Sequence, residues 1–365
     1  MTDETVSAHP TAPDAPDARS SSASRGEDMT MIRAAAKLTS DLNTPNKLIY
    51  WGDFLGSAAF GYAGLAGAIL SPSLPLALLC AALAILCLYR AGLFIHELTH
   101  MRLSGVPGFW TAWHIIIGIP VMLPSFMYEG LHNAHHMRKK YGTDEDPEYL
   151  PLAHMKPWTV PVFVLISVLA PLGLLIRYGI LAPLSLAIPP LRTFIWQRYS
   201  GLVINPAYRR RAPDAALKRH VILTETPTAL WAMAVIAGVA SGVIPLRVFG
   251  TAMAVLAGIM LLNQIRTLVA HLWANDGAEM SVTAQFLDSV NVPPPSPLPA
   301  LWAPVGLRYH ALHHLLPGLP YHNLGEAHRR IVAVLGTTTH YHKVNRKGLP
   351  GLVVQLVSSS WHQGR

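Results

Sequence analysis

The sequence predicts an all-α integral membrane protein, with four transmembrane helices, further interfacial or re-entrant helices and a cytoplasmic cap rich in histidine. Of its 365 residues 51% are hydrophobic and only 13% are charged, about half the charged fraction of a soluble domain. The net charge of +8 comes from Lys/Arg clusters that lie beside the apolar segments. Because the positive-inside bias predicts such clusters on cytoplasmic loops, we expect no nucleic-acid partner.

The chain is expected to form a disordered tail, residues 1–28, and a single membrane domain, residues 29–365. The tail is rich in Ala, Ser, Pro, Thr and Asp and shows no apolar periodicity. No apolar stretch follows the start closely enough to be a signal peptide. Residues 30–47 carry scattered apolar positions, which favours a short helix on the membrane surface.

Four apolar segments have the length and composition of transmembrane helices. They are Phe54–Leu70, Leu76–Ile95, Ala229–Ile244 and Val248–Leu262. The second is twenty residues long, which gives about 30 Å of helix, enough to cross the hydrocarbon core. Cys80 and Cys87 both lie in this segment, where small packing residues are expected rather than a disulfide or metal ligands.

Two further apolar segments are interrupted and are not counted as spans. Residues 109–127 contain Gly118, Pro120 and Pro124, which favours a re-entrant or interfacial segment. Residues 158–190 are broken by prolines and by Arg177, and are either a hairpin of two half-spans or a pair of surface helices. If all basic clusters face the cytoplasm, both segments return to the side that they left. Both termini are then cytoplasmic, in what we expect to be a bacterial inner membrane.

Three clusters stand out among the 18 histidines. Box 1, "HELTH", supplies His96 and His100; box 2, "HNAHH", supplies His132, His135 and His136; box 3, "HALHH", supplies His310, His313 and His314. An HxxHH pattern arises by chance about 0.04 times in a chain with this histidine frequency, so two copies are not accidental. Histidines three and four residues apart share a helix face, and two such clusters facing each other are able to hold a pair of metal ions.

The predicted topology places all three boxes on one side of the membrane. Burying eight imidazoles there without a metal would be costly, so we expect them to bind metal. Neutral imidazole suits Fe, Zn, Cu and Ni alike, but eight or nine nitrogens are too many for one zinc ion, which takes four. Two irons with an open position for O₂ fit this number better. Isolated histidines such as His114, His154 and His220 are expected to be ordinary surface or core residues.

Box 1 alone also fits an intramembrane zinc protease, in which two histidines hold Zn²⁺ and Glu97 activates water. That interpretation leaves six of the clustered histidines without a role. A membrane protein that binds metal without catalysis is another alternative. If the boxes hold a metal pair, Glu97 either orients a ligating histidine or is simply a surface residue.

The order HxxxH, HxxHH, HxxHH, spread over spans in this way, resembles the membrane fatty acid desaturase superfamily, which includes desaturases, some hydroxylases and carotenoid ketolases. The strings "HNAHHMRKKYGTDEDPEYLPL" and "HALHHLLPGLPYHNLGEAHRR" look like its bacterial acyl-lipid desaturase branch. The resemblance implies a cytoplasmic non-haem di-iron centre that uses O₂ and two electrons to attack an unactivated C–H bond. The implied iron ligands are His96, His100, His132, His135, His136, His310, His313, His314 and, near the end of the last span, His271.

The resemblance also suggests residues around the metal ligands. Parts of the family place an asparagine four residues before the histidine that His271 matches, where it holds a water on iron. This chain has Thr267 there, and Asn263 lies one further turn away. The other candidates are Glu97, Arg266 as a partner of Asp276 or of an electron donor, Asp144 and Asp146 as anchors of box 2 through the basic loop 138–140, and His322 and His328 as donors behind the ligands.

The activity implied by the resemblance is O₂-dependent insertion of a double bond into a lipid acyl chain. The alternative is a hydroxylase or ketolase that acts on a fatty acyl chain or a carotenoid. The expected partners are a membrane lipid or acyl substrate and a separate electron carrier such as a ferredoxin, because the sequence shows no haem or cysteine-cluster signature. The basic cytoplasmic face would steer an acidic carrier towards the enzyme.

Overall fold

The computed structural model describes residues 31–102, 104–335 and 339–363, so the predicted tail, residues 1–28, lies outside the described residues. The α-helices, in chain order, are α1 (Lys47–Leu70), α2 (Leu74–Gly92), α3 (Phe94–His100), α4 (Phe109–Trp113), α5 (Leu131–His135), α6 (Thr159–Leu165), α7 (Ala170–Ile176), α8 (Ala182–Ala187), α9 (Pro189–Tyr199), α10 (Ala215–Ala240), α11 (Leu246–Leu268), α12 (Val282–Asp288), α13 (Pro299–Trp302), α14 (His310–Leu315), α15 (Leu324–Val334), α16 (His340–Lys343) and α17 (Leu349–Gln363). Residues 31–38 are also helical, 3₁₀ and π-helical turns connect several of the helices, and the described part of the chain contains isolated β-bridges but no strand. The all-α prediction is confirmed.

Five helical segments are long and apolar enough to cross a membrane, in agreement with the predicted integral membrane fold. They are Lys47–Leu70, Leu74–His100, Thr159–Ala187, Ala215–Ala240 and Leu246–Leu268. Four of them overlap the predicted spans and begin earlier than predicted, although Ala215–Ala240 ends four residues before the predicted end at Ile244. The fifth, Thr159–Ala187, was not counted as a span in the sequence analysis, but it has the length and apolarity of one.

The additional candidate is one nearly continuous helix rather than a hairpin of two half-spans. It consists of α6, α7 and α8, joined by a 3₁₀ turn at Ile166–Leu169 and a π-helical turn at Arg177–Leu181. Pro171 and Pro183 each stand in the first turn of a new helical piece, where a missing N–H costs little. Irregular turns therefore accommodate the residues that made this segment look interrupted.

Both ends of the region 155–202 lie near clustered histidines, one near His271 and the other near box 2. Before it, the Ala153 N–H donates to the Trp273 carbonyl at 3.2 Å, close to His271. After it, the Leu202 N–H donates to the Met127 carbonyl at 2.8 Å, close to box 2. The chain therefore leaves this region on the side of the molecule where it entered.

Helices α1 and α2 pack closely and carry box 1 to the edge of the cap. A Cβ added at Gly64 would lie 2.8 Å from both the Ala84 nitrogen and the Cys80 carbonyl oxygen, so only glycine permits this approach. Nearer the histidines, Arg90 Nε donates to Asp53 at 2.6 Å. This ion pair holds the two helices in register just before box 1.

The cap is built around Asn291, which is fully buried. Its backbone forms bridges to Tyr309 and Asn345, and its side-chain oxygen accepts a hydrogen bond from the Leu312 N–H at 3.1 Å. These bonds tie the start of α14, and with it box 3, to the segment that follows α12.

Candidate metal centre

The three boxes and His271 converge in two adjacent clusters. Cluster A consists of His96, His100, His132 and His313, and cluster B consists of His135, His271, His310 and His314. Within each cluster, one possible ligand atom per residue lies within 4.8 Å of all the others. Residues from distant parts of the sequence therefore form two four-histidine sites.

Boxes 2 and 3 are shared between the clusters, whereas box 1 belongs to cluster A alone. His132 faces cluster A and His135 faces cluster B, although their spacing predicts a common helix face. Box 3 is divided in the same way, since His313 is in cluster A and His314 in cluster B. Each of these short helices therefore contributes to both sites.

His136 lies between the two clusters. Its Nε2 is 3.0 Å from His132 Nε2 and 3.2 Å from His313 Nε2, both in cluster A. Its ring centroid is also 4.3 Å from that of His314 in cluster B. All nine predicted ligands are thus brought together, and His136 connects the two halves.

Glycines with positive φ precede boxes 2 and 3. Gly130 has φ +77° immediately before α5, and Gly306 has φ +72° four residues before His310. A Cβ at Gly306 would also lie 2.6 Å from Leu324 Cδ1. Glycine is required at such a turn because other residues are strained at positive φ, and the turn directs box 3 into the cap.

Outer hydrogen bonds fix which nitrogen of two cluster B histidines faces inward. His135 Nδ1 lies 2.9 Å from the carboxylate of Asp146, which accepts the proton on this nitrogen. His271 Nδ1 lies 2.8 Å from the Tyr141 hydroxyl, which donates its own proton to Asp288 at 2.8 Å. Both rings therefore carry hydrogen on Nδ1, and Nε2 presents a lone pair to the interior of the site.

The inner nitrogens fit a bound cation. His271 Nε2 and His310 Nε2 are only 3.0 Å apart. Buried nitrogens without a hydrogen-bond partner among the described residues occur at both nitrogens of His96, at His100 Nε2 and at His310 Nδ1. A metal ion would take one nitrogen of each ring, so it would account for His100 Nε2 and for one of the two His96 nitrogens, whereas His310 already faces His271 with its other nitrogen, Nε2.

Two polar side chains, Tyr128 and Glu148, lie at the outer nitrogen of His132, in cluster A. His132 Nδ1 lies 2.9 Å from the Tyr128 hydroxyl and 3.1 Å from Glu148. Burial raises the pKa of Glu148 to about 8, against the opposing effect of nearby His135. A cationic group at the centre would favour the ionised form of Glu148 and would strengthen its bond to His132.

Most imidazoles of boxes 2 and 3 are held neutral. Burial lowers the pKa well below the ordinary value of 6.5, and neighbouring histidines lower it further, for His132, His136, His271, His310, His313 and His314. For His135, burial also lowers the pKa, but the carboxylate of Asp146 outweighs it and the net shift is upward. Neutral imidazole is the form that binds metal, so the lowered pKa values favour coordination at neutral pH.

Glu97 is buried, so its interpretation as a surface residue is wrong. It accepts hydrogen bonds at Oε2 from the Tyr50 hydroxyl and from the Tyr321 N–H. Its Oε1 is 3.8 Å from His96 Nδ1, beyond hydrogen-bond distance. Glu97 therefore joins box 1 to α1 and to the segment after box 3, and orients no histidine directly.

The other predicted neighbours of the centre differ in position. Arg266 donates to Asn263 Oδ1 at 3.1 Å, whereas no contact is found between Arg266 and Asp276 among the described residues. Asp146 accepts hydrogen bonds from His135 and from the Gly142 N–H. Asp144 is exposed, and among the described residues no ion pair joins the side chains of loop 138–140 to Asp144 or Asp146.

His322 and His328 do not lie behind the ligands. His322 Nε2 accepts from the Asn46 N–H at 3.0 Å, and His328 Nδ1 is 2.9 Å from the Tyr341 hydroxyl. Both bonds fasten parts of the cap to each other.

Tyr128, Tyr141, Glu148 and Asp288 were not among the predicted residues, although each lies within 4 Å of a clustered histidine. Asp288 lies 147 positions from Tyr141 in the sequence, and no local pattern links them. Glu148 follows Asp146 in the string "TDEDPEY", and this density of acidic residues after box 2 was the one available signal.

Comparison with known proteins agrees with this arrangement. The chain matches the fatty acid desaturase family over residues 71–345, a range that contains all nine histidines. It is 50% identical over 327 residues to a protein named ceramide hydroxylase from Caulobacter vibrioides (strain NA1000 / CB15N). That match covers 90% of the chain and 93% of the relative. No solved structure gives a significant match.

Proposed function

The chain belongs to the fatty acid desaturase family, and we propose that it is an O₂-dependent di-iron hydroxylase of ceramide or a closely similar lipid amide. Family membership confirms the resemblance seen in the three boxes. The observation that carries the metal assignment is the convergence of nine imidazoles into two adjacent clusters. Two four-histidine sites side by side suit a pair of ions better than one.

The residues of the chain would position and tune the metal pair rather than perform the oxidation. Asp146 and the Tyr141–Asp288 pair hold the inward nitrogens of His135 and His271 in place. When bound, the iron pair would supply O₂ activation: one oxygen atom enters a C–H bond and the other leaves as water, with two electrons and two protons consumed. Six of the nine histidines are buried, which would limit the access of bulk water to this reaction.

Hydroxylation is favoured over double-bond insertion, which was the leading sequence-based prediction. The support is the name of the relative, which is similar over nine-tenths of the chain. The hydroxylase alternative drawn from the sequence is therefore the one that we adopt. The zinc protease alternative gains no support, because Glu97, its general base, is bonded to Tyr50 and Tyr321.

The reaction requires an electron carrier that the described fold does not contain, and a separate acidic protein such as a ferredoxin would serve. Exposed basic residues occur in the loop after box 2, just before α10 and at the start of α10, namely Arg138, Lys139, Arg211, Lys218 and Arg219, whereas Arg210 is buried. Such a surface attracts an acidic carrier by electrostatic steering. We assign the side of the histidine clusters and both termini to the cytoplasm, with the chain in a bacterial inner membrane, because the same basic clusters follow the positive-inside bias.

The proposed activity is tested by lipid mass spectrometry of cells that express the chain and supply ceramide. Hydroxylation adds about 16 Da to a ceramide species, whereas desaturation removes about 2 Da. A new species 2 Da lighter, with none 16 Da heavier, would replace hydroxylation by desaturation. No change in any lipid, with iron bound, would reject both.

His313→Ala tests the ligand assignment. Cluster A loses one of its four nitrogens, so the iron content is expected to fall from about two to about one or fewer per chain, and oxidation is expected to stop. Iron is measured on purified protein by elemental analysis. The control is His154→Ala, an exposed histidine outside the clusters, which should keep both iron and activity. Full activity of His313→Ala would contradict the assignment.

A further inference from the structure

A cleft of about 450 Å³ opens beside cluster A. Its buried floor includes Tyr50, Glu97 and Leu319, and His100 of cluster A forms part of its wall. The exposed residues Arg102 and Ser104 lie at its rim. A volume of this size is typical of small-molecule sites, and direct access to a candidate metal ligand indicates a substrate rather than a structural void.

The cleft is placed at the end of a membrane helix. Asn43 and Pro45 line it immediately before α1 begins at Lys47. In the first turn of α1, Leu48 is 83% exposed and Ile49 is 42% exposed. Apolar side chains exposed at a helix end favour contact with lipid, so the cleft lies where a lipid would present its polar head.

The few charged side chains that line the cleft favour a lipid with an uncharged head group. Among the described lining residues, Arg102 is the one arginine or lysine and Glu97 the one carboxylate, and Glu97 is already bonded to Tyr50 and Tyr321. A head with several phosphates, such as that of an acyl-coenzyme A, would need several basic residues or bidentate arginines. One arginine at the rim does not meet that need.

The polar groups of the lining suit amide and hydroxyl groups. Glu97 accepts both of its hydrogen bonds at Oε2, so Oε1 has no hydrogen-bond donor among the described residues. The side chains of Asn43 and Ser104 offer further donors and acceptors at the rim. Pro45, Met101 and Leu319 cover the apolar part of a ligand.

We propose that this cleft binds the uncharged, amide- and hydroxyl-bearing head of the lipid substrate, with Glu97 Oε1 as an acceptor in its floor. The proposal rests on the proposed function, since it assumes a lipid amide that is oxidised at the neighbouring centre. The head then lies beside His100, a member of cluster A.

The test fills the cleft and measures binding without turnover. Gly318 lines the cleft and an added Cβ there meets no atom within 4 Å, so Gly318→Trp introduces a bulky ring at the cleft without a clash at its Cβ. The matched control is Gly351→Trp, at an equally open glycine on α17 outside the cleft. Binding of N-palmitoyl sphinganine to purified protein in detergent should weaken about tenfold or more in Gly318→Trp and remain unchanged in Gly351→Trp.

A second variant tests the charge of the head. Arg102→Gln should change binding of the same ceramide by less than about twofold, since an uncharged head makes no ion pair. Iron content and thermal stability are measured for all variants, so that a misfolded protein is recognised. Unchanged ceramide binding in Gly318→Trp, or a tenfold loss in Arg102→Gln, would overturn the proposal.

The outcomes separate this proposal from the proposed function. If no oxidation is found but Gly318→Trp alone loses ceramide binding, the hydroxylase function fails and the cleft assignment stands. If the protein hydroxylates ceramide and Gly318→Trp has an unchanged KM, the cleft assignment fails and the function stands. If Gly318→Trp instead slows reduction by a reduced ferredoxin and still binds ceramide, the cleft belongs to the electron carrier.

Discussion

Asp146 and Tyr141 decide which nitrogen of His135 and of His271 faces the interior of cluster B, and neither role is visible in a sequence motif. The boxes themselves were predicted from spacing, because histidines three or four residues apart act together on one helix. Tyr141 acts through Asp288, a partner brought near only by the fold. At the residue scale the inward-facing rings could therefore be predicted, whereas the groups that orient them could not.

Asp146→Asn is expected to lower the metal affinity of the protein by about 10–100-fold. The uncharged amide is a weaker acceptor for the proton on His135 Nδ1, so the ring is oriented less firmly and its Nε2 becomes a poorer ligand. The affinity is measured by competition with a coloured chelator for Fe(II), with Co(II) as a second probe.

Asp144→Asn is the matched control, since it makes the same chemical change two residues earlier, on an exposed side chain. It should keep the affinity of the unmodified protein. Equal losses in the two variants would show that Asp146 acts only through the general charge of the loop.

At the scale of elements, the helix Thr159–Ala187 shows why the interrupted segment could not be assigned from its sequence. Its prolines and Arg177 read as breaks when the segment is considered alone. In the fold, Arg177 NH2 pairs with Glu225 of α10 at 2.5 Å and its Nε donates to the Tyr199 carbonyl at 3.0 Å. Partners on α9 and α10 therefore satisfy a charge that appears isolated in the sequence.

Glu225→Gln is expected to destabilise the protein by about 3–5 kcal/mol, because Arg177 is left buried without a counter-charge. Arg192 also pairs with Glu225, but its side chain is partly exposed, so water compensates for much of the lost interaction. The effect is measured as a fall in the apparent Tm of the purified protein in detergent.

Glu326→Gln serves as the comparison, because Glu326 pairs with Arg329 and Arg330 on an exposed face of α15. Surface pairs contribute little, so the apparent Tm should hardly change. The double variant Arg177→Met/Glu225→Leu should recover most of the lost stability. A Glu225→Gln protein as stable as the original would show that the buried pair has no structural role.

At the scale of the whole molecule, length and apolarity alone could not fix how many segments cross the membrane. The hydrogen bonds at the ends of region 155–202 show on which side of the molecule each end lies, which the sequence does not. Ala153 and Leu202 both bond to segments next to the clustered histidines. The all-α membrane class followed from composition and the long apolar runs. The side of the molecule to which each apolar run returns the chain depends on contacts between residues far apart in the sequence, so it could not be predicted.

Cysteine labelling tests this path. In a background with Cys80→Ala and Cys87→Ala, Lys156→Cys and Ala207→Cys should react with a membrane-impermeant maleimide from the same side, because both lie at the histidine side. Val243→Cys, in the exposed turn between α10 and α11, should react from the opposite side. Labelling is compared in intact cells and inside-out vesicles.

Opposite reactivity of positions 156 and 207 would mean that the region between them makes a net crossing. Reaction of both only in inside-out vesicles would support the cytoplasmic assignment. Reaction of both only in intact cells would leave the same-side path intact and reverse the orientation of the protein.

The division of box 3 between the clusters has a consequence for biosynthesis. A nascent chain that has not yet released residue 310 from the ribosome offers cluster A three histidines and cluster B two. Neither half is complete until the last membrane helix has been inserted and the following cap segment has folded against it. On the proposed function, loading of the iron pair would therefore follow translation of most of the chain, since only then are both four-histidine sites complete.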